Sequence, residues 1–144
     1  PTDKFRPAEA NAAYSLHTTP TDYLRFALAA RAGEGLRPAK AAAWMQPHVH
    51  VPEGRIEALQ AAAPALERNV AWGLGWGLEG DAGTFFHWGS NSGASAFVIA
   101  AAPPGPVLAV FANADAGLGV AAELMRAVLP GRHPGLAWLG LETP

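Results

Sequence analysis

The sequence predicts an α+β fold in which helices come first, an antiparallel sheet follows and one helix ends the domain. Two observations lead to this prediction. Alanine-rich segments with helix-start signals fill the first part of the chain, whereas the residues after Asn69 are rich in Trp, Gly and β-forming apolar residues. The later apolar runs are nearly continuous rather than alternating, which predicts a sheet covered by helices on both faces.

The helix signals are clearest between residues 19 and 46. Thr19 is a capping residue, Pro20 suits the first helical position, and Gly33 ends the apolar face that follows. A second short helix is predicted over 38–46, because the next residue is a proline that cannot continue it. Residues 53–69 are also helix-prone, although a proline interrupts them.

The strand signals follow in the second half of the chain. We predict strands over 70–79, 84–89, 95–102 and 107–113, with a hairpin at the prolines of 103–106. A helix then covers the sheet, because its apolar residues repeat at helical spacing: Leu118, Ala121, Leu124, Met125 and Val128. In the tail at 133–139, Trp138 is predicted to pack back onto the body.

The composition excludes several classes of function. The 144 residues are 50% hydrophobic and 15% charged, which predicts a single globular domain over 1–144. The net charge of −2, with no basic run, argues against nucleic acid as a partner. The longest apolar stretch, 94–104, is too short to span a bilayer. The absence of cysteine excludes disulfides, thiolate catalysis and cysteine zinc sites.

Two motifs that resemble ligand sites are better explained as structural features. Residues 75–80 match G-x-G-x-x-G, but a β-like run follows them where a dinucleotide site needs a helix. His48 and His50 have the spacing of two metal ligands on a strand, but no third ligand is evident. We therefore predict no cofactor and no metal, and we expect His17 and His133 to be capping or surface histidines.

The candidate catalytic and ligand-binding residues lie instead in one segment at the end of a β-like run, His87-Trp88-Gly89-Ser90-Asn91-Ser92-Gly93. Gly89 leaves room for a ligand against the backbone, and the N–H of Ser90 is then available to a ligand oxygen. His87 can exchange a proton near neutral pH. Trp88, Asn91 and Ser92 are candidate substrate-binding residues. Taken alone, these seven residues are also explained by a polar turn between two strands.

The order of the motifs adds a family resemblance. A helix start H-T-T-P-T-D-Y is followed by W-G-L-G-W-G-L-E, H-W-G-S-N-S-G, A-V-F-A-N-A-D-A-G and H-P-G-L-A-W-L. This succession resembles the C-terminal part of the serine β-lactamase-related family, which includes class C β-lactamases, D-alanyl-D-alanine peptidases and esterases. The resemblance extends from about Asn11 to Leu139 and implies the C-terminal part of a β-lactamase or penicillin-binding-protein fold.

The resemblance also implies roles for matching residues. The family's third active-site motif reads Lys or His, a variable residue, then Gly, and corresponds here to His87, Trp88 and Gly89. The backbone N–H of Ser90 would then be one of two oxyanion-hole donors, and His87 would supply a proton or positive charge. The substrate would be a small ester, amide or β-lactam, and the family favours an extracytoplasmic or periplasmic location.

Two family motifs are missing from the chain. None of the four serines is followed by Lys three residues later, and neither tyrosine begins Tyr-x-Asn. We therefore expect the nucleophile to lie in an upstream half of the same protein. The chain, which begins with Pro1, is then expected to be partial. By itself it should not turn over substrate. The alternative is a non-catalytic ligand-binding or protein-interaction module that retains the family's sheet.

Overall fold

The computed structural model describes residues 8–50, 70–80 and 83–141, and it confirms the α+β class. A six-stranded sheet has every neighbouring pair antiparallel, and the strand order follows the chain. The predicted helical segment at 53–69 lies outside the described residues. The strands are β1 (Val49–His50), β2 (Val70–Trp72), β3 (Gly77–Glu79), β4 (Thr84–Asn91), β5 (Ala94–Ala100) and β6 (Val107–Ala112), and the helices are α1 (Pro20–Ala32), α2 (Pro38–Trp44), α3 (Gly117–Val128) and α4 (Pro134–Trp138).

The ends of α1 follow the predicted signals. The hydroxyl of Thr19 accepts a hydrogen bond from the N–H of Asp22 at 3.1 Å, which satisfies one free donor of the first turn. Gly33 ends the helix with φ +69, a left-handed conformation that glycine adopts without strain. Local chemistry in the sequence therefore fixes both ends of this helix.

The predicted strand over 70–79 is wrong as a single strand. The chain turns back at residues 73–76, so that β2 and β3 form a hairpin in which Trp72 lies opposite Gly77. Gly75 has φ +89 in this turn, a conformation that favours glycine. The hairpin predicted at 103–106 is confirmed, since it joins β5 to β6.

Helices cover both faces of the sheet, as the continuous apolar strands predict. On one face, α1 packs Ala27 and Ala30 against alternate strand residues such as Phe85 and Val98. On the other face, α3 packs Ala121 and Met125 against residues that include Phe97. The small residues on both helices let their backbones approach the sheet closely.

The predicted contact face of α3 is only partly correct. Ala121 and Met125 are buried as predicted, but Leu124 and Val128 are exposed by 44% and 42%. The helix turns its alanine side towards the sheet, where Ala122 is 1% exposed. Small side chains allow the closer packing, so the bulkier residues one position away remain at the surface.

A buried polar contact ties α4 to the sheet and shows that His133, the N-cap residue of α4, is not the surface histidine that was one of its two predicted roles. Its side chain is only 8% exposed, and Nδ1 lies 2.8 Å from a carboxylate oxygen of Glu79. The other oxygen of Glu79 accepts the N–H of Gly135 at 2.9 Å, and Nε2 of His133 lies 2.8 Å from the Leu129 carbonyl. Trp138 packs onto the body as predicted, with its ring 5.0 Å from that of Trp88.

Candidate functional site

The second half of β4 forms an open sheet edge among the described residues. β5 pairs with residues Phe85 to Asn91 of β4. β3 pairs only with residues Thr84 to Phe86. β3 begins at Gly77, opposite Phe86, so residues 87–91 extend beyond it. The candidate motif therefore lies where one side of a strand is not used for sheet pairing.

The strand register determines which backbone groups face this edge. A two-residue turn, Ser92 and Gly93, joins Asn91 to Ala94, so these two flanking residues exchange backbone hydrogen bonds. The pattern alternates along an antiparallel strand, and Gly89 therefore bonds to β5 as well. The N–H and C=O of Ser90 point in the opposite direction, towards the open edge.

Side chains of the motif divide between the two faces of the sheet. His87, Gly89 and Asn91 share the face covered by α1, whereas Trp88 and Ser90 share the face covered by α3 and α4. A Cβ built on Gly89 meets no atom within 4 Å, so the space between His87 and Asn91 is open. Ser92 lies exposed in the turn. The predicted residues are neighbours along one strand, but they do not converge on one point.

The contacts of His87 define its tautomer. Its Nδ1 lies 3.0 Å from the carbonyl oxygen of Trp88, which can only accept, so Nδ1 carries the hydrogen. Burial lowers the pKa of His87 below its ordinary 6.5, and the hydrogen bond to Trp88 opposes this only in part. At neutral pH the ring is therefore uncharged, with a lone pair on Nε2. This arrangement suits proton acceptance at Nε2, whereas the family resemblance implies that His87 supplies a proton or positive charge.

Aromatic rings border the beginning of the open edge. The Trp72 ring lies 5.6 Å from His87 and 5.8 Å from Trp88 in centroid distance, and Trp76 lies 6.3 Å from His87. Trp138 completes the group at 6.2 Å from Trp72. We call Trp72, Trp88 and Trp138, which are all half-buried, the aromatic rim.

Of this rim, the sequence indicates only Trp88 as a candidate site residue, and it predicts only a packing role for Trp138. Trp72 joins it because the β2–β3 hairpin ends beside β4, and that hairpin was expected as one strand. Trp138 joins it through the contact between Glu79 and His133, which no local pattern indicates. The five tryptophans in 144 residues are a compositional signal, but composition does not show which of them meet.

Among the described residues, no serine hydroxyl forms a hydrogen bond with a histidine ring or a carboxylate. Ser95 is buried and donates to the Ala114 carbonyl at 2.9 Å, and Ser15 donates to the Asn11 carbonyl at 2.8 Å. Ser90 is exposed, but its side chain lies on the opposite face of the sheet from His87. The described part of the chain therefore has an outward-facing backbone N–H at Ser90 and no serine hydroxyl that is hydrogen-bonded to a base.

The other motifs have structural explanations. In the glycine pattern, β4 begins at Thr84, in the region where a dinucleotide site needs a long helix, and a Cβ on Gly77 would lie 2.6 Å from the Phe86 ring. The ring of His48 bonds to the Ala43 carbonyl at 2.8 Å, and His50 is exposed on β1. Within the described residues, no group of three or more His, Asp or Glu side chains is arranged to hold a metal ion.

A cleft of about 210 Å³ lies at the other end of β4. Its lining includes Arg31, Phe85 and Pro103 and none of residues 87–93. Arg31 already donates to two carbonyls there, those of Ala101 and Gly105. The cleft is therefore separate from the candidate site.

Comparisons of the chain with protein-family models, with curated proteins and with solved structures find no match. Among residues 8–50, 70–80 and 83–141, no helix is long and apolar enough to cross a membrane. What the chain does must therefore be inferred from the geometry at the edge of β4.

Proposed function

We propose that the chain is the C-terminal segment of a serine hydrolase of the β-lactamase-related type, and that it supplies the third active-site motif and an oxyanion-hole strand. The complete protein would act on an ester, amide or β-lactam, with its nucleophile in an upstream Ser-x-x-Lys. The observation that carries the proposal is the open edge of β4. There the Ser90 N–H faces outward, Gly89 borders open space and His87 lies beside them.

The chemistry at Ser90 follows from this geometry. When a serine oxygen attacks the substrate carbonyl, negative charge develops on the carbonyl oxygen, and a fixed N–H stabilises it. For an ester, the serine C–O bond forms while the bond to the alcohol breaks, and the alcohol leaves with a proton. Water then hydrolyses the acyl-serine and releases the acid. Losing one such donor typically lowers the rate by about 10²–10³.

The chemistry at His87 follows from its tautomer. Nδ1–H is held by the Trp88 carbonyl, so Nε2 is the atom that can accept a proton or a hydrogen bond. The side chain also emerges on the same face as the open space at Gly89. We therefore assign His87 to proton exchange near the scissile bond.

The first experiment reads the coding sequence upstream of Pro1. The proposal expects Ser-x-x-Lys followed by Tyr-x-Asn, and an upstream region without them would overturn it. The complete protein should hydrolyse nitrocefin or p-nitrophenyl esters, whereas the isolated chain should not. Turnover by the isolated chain that is lost when Ser90 or Ser92 is replaced would show that the motif assignment is wrong.

Two glycine-to-alanine variants of the complete protein test whether the substrate occupies the open space at Gly89. Gly89→Ala meets no atom within 4 Å, so folding is preserved, but the added methyl occupies the surface that the substrate would use. We expect kcat/KM to fall at least tenfold, about 1.4 kcal/mol of lost transition-state binding. Gly119→Ala on α3 also meets open space and is the matched control, with unchanged kinetics. Equal kinetics for both variants would contradict a substrate position at Gly89.

A second function is favoured by the position of the serines. Because no described serine hydroxyl is hydrogen-bonded to a histidine ring or a carboxylate, a binding or interaction module without catalysis fits the same edge and rim. Saturable binding of a ligand or partner by the isolated, folded chain, combined with an upstream region that lacks the nucleophile motif, would favour this alternative.

A further inference from the structure

Three arginines of the described residues have hydrogen-bond partners away from the open edge of β4. Among the described residues, no lysine or arginine forms an ion pair or hydrogen bond with residues 87–93. Arg25 and Arg126 pair with carboxylates on their own helices, and Arg31 bonds to the β5–β6 hairpin. The side chains of these three arginines are therefore engaged by partners outside residues 87–93.

Of the two ionisable groups described at this edge, Asp115 repels an anion and His87 carries no charge that would attract one. Asp115 places a carboxylate oxygen 2.7 Å from the N–H of Gly93, three residues beyond Ser90. His87 directs its Nδ1–H to the Trp88 carbonyl and is surrounded by three tryptophan rings, those of Trp72, Trp76 and Trp88. An apolar setting of this kind disfavours a charged imidazole.

The aromatic rim supplies the complementary attraction. Its three rings meet at angles of 53°, 68° and 81°, with centroid distances between 5.0 and 6.2 Å. Rings this close pack against one another and leave no cage between them for a cation. Their exposed parts instead form a surface on which a flat apolar group can pack.

We propose that the site binds an uncharged ester whose flat apolar part packs against Trp72, Trp88 and Trp138, and that it disfavours substrates with a carboxylate near the scissile bond. This inference rests on the proposed serine hydrolase function and narrows its substrate class. It removes carboxylate-bearing β-lactams and peptides from the preferred substrates.

The first test compares two esters of equal acyl length in the complete protein. p-Nitrophenyl butyrate ends in a methyl group, and mono-p-nitrophenyl succinate ends in a carboxylate at the same place. We expect kcat/KM to favour the butyrate by at least tenfold. Equal or better turnover of the succinate would overturn the inference while leaving the hydrolase function intact. Absence of turnover for both esters, and for nitrocefin, would instead overturn the hydrolase function itself.

Two variants separate charge from packing. Asp115→Asn keeps an oxygen for the Gly93 N–H but removes the negative charge, so the ratio of kcat/KM for the succinate to kcat/KM for the butyrate should rise severalfold. Trp138→Leu should raise KM for 1-naphthyl butyrate about tenfold more than for methyl butyrate, because only the naphthyl group is large and flat. The inference would be overturned if Asp115→Asn left the succinate-to-butyrate ratio of kcat/KM unchanged and Trp138→Leu left the ratio of the two KM values unchanged. Far-UV circular dichroism is the control that checks whether both variants fold.

Discussion

A proline placed on β4 tests the register from which the open edge is inferred. Ser90→Pro removes an N–H that faces outward, and proline is tolerated at edge positions whose N–H has no sheet partner. Gly89→Pro is the matched change at the adjacent residue. It removes an N–H that bonds to β5 opposite Ala96. The two variants therefore remove the same kind of group from opposite sides of one strand.

The structure sets the expected difference in stability. Gly89→Pro loses a net ~1 kcal/mol of hydrogen bonding and leaves a β5 carbonyl without its donor, which costs a further ~1–3 kcal/mol. Ser90→Pro should cost below ~1 kcal/mol. At about 4 °C per kcal/mol for a domain of this size, the Tm of the isolated chain should fall by roughly 8–16 °C for Gly89→Pro and by less than about 4 °C for Ser90→Pro.

Thermal unfolding followed by circular dichroism measures both values, and Ser90→Ala is the control that keeps the N–H. Equal losses for the two prolines would refute the assigned register and the outward donor with it. In the complete protein, Ser90→Pro should lower kcat about 10²–10³-fold while Ser90→Ala stays close to the parent, because the proposed donor is the backbone rather than the hydroxyl.

Three further predictions concern the surroundings of the site. Gly77→Ala should destabilise the chain by about 1–3 kcal/mol in urea unfolding, because its Cβ would lie 2.6 Å from the Phe86 ring; a neutral effect would contradict that packing. Glu79→Gln should cost about 3 kcal/mol and reduce the near-ultraviolet signal of the packed tryptophans, because it breaks a buried pair with His133; an unchanged signal would refute the link to α4. His87→Asn should flatten the loss of stability below pH 6.5. Because burial lowers the pKa of His87 in the folded chain, the unfolded chain binds more protons there, and the parent loses stability as the pH falls; parallel pH curves would refute this.

Much of the fold could be predicted because its signals are local. A capping threonine, a proline at a helix start and glycines at chain reversals act through neighbouring backbone groups, so α1 and the β5–β6 hairpin were predicted close to their bounds. The reversal at 73–76 was missed because its glycines alternate with tryptophan and leucine in a pattern that also fits one strand.

The site was predictable in part for the same reason. Seven consecutive residues place His87, Gly89 and Ser90 on one strand, and the sequence shows that order directly. It does not show that β3 pairs no further than Phe86, on which the outward direction of the Ser90 N–H depends. The buried contact between Glu79 and His133 joins residues 54 positions apart, so only the folded chain reveals it.

The strand order of the sheet has a consequence for how the chain folds. β3, β4, β5 and β6 each pair with the strand that precedes them, so these contacts join residues that are near in sequence. Sheets with such local contacts close small loops and fold faster than sheets whose strands come from distant parts of a chain. The open edge at Ser90 is therefore built from contacts among β3, β4 and β5, which are consecutive in the chain, and its formation does not depend on distant strands.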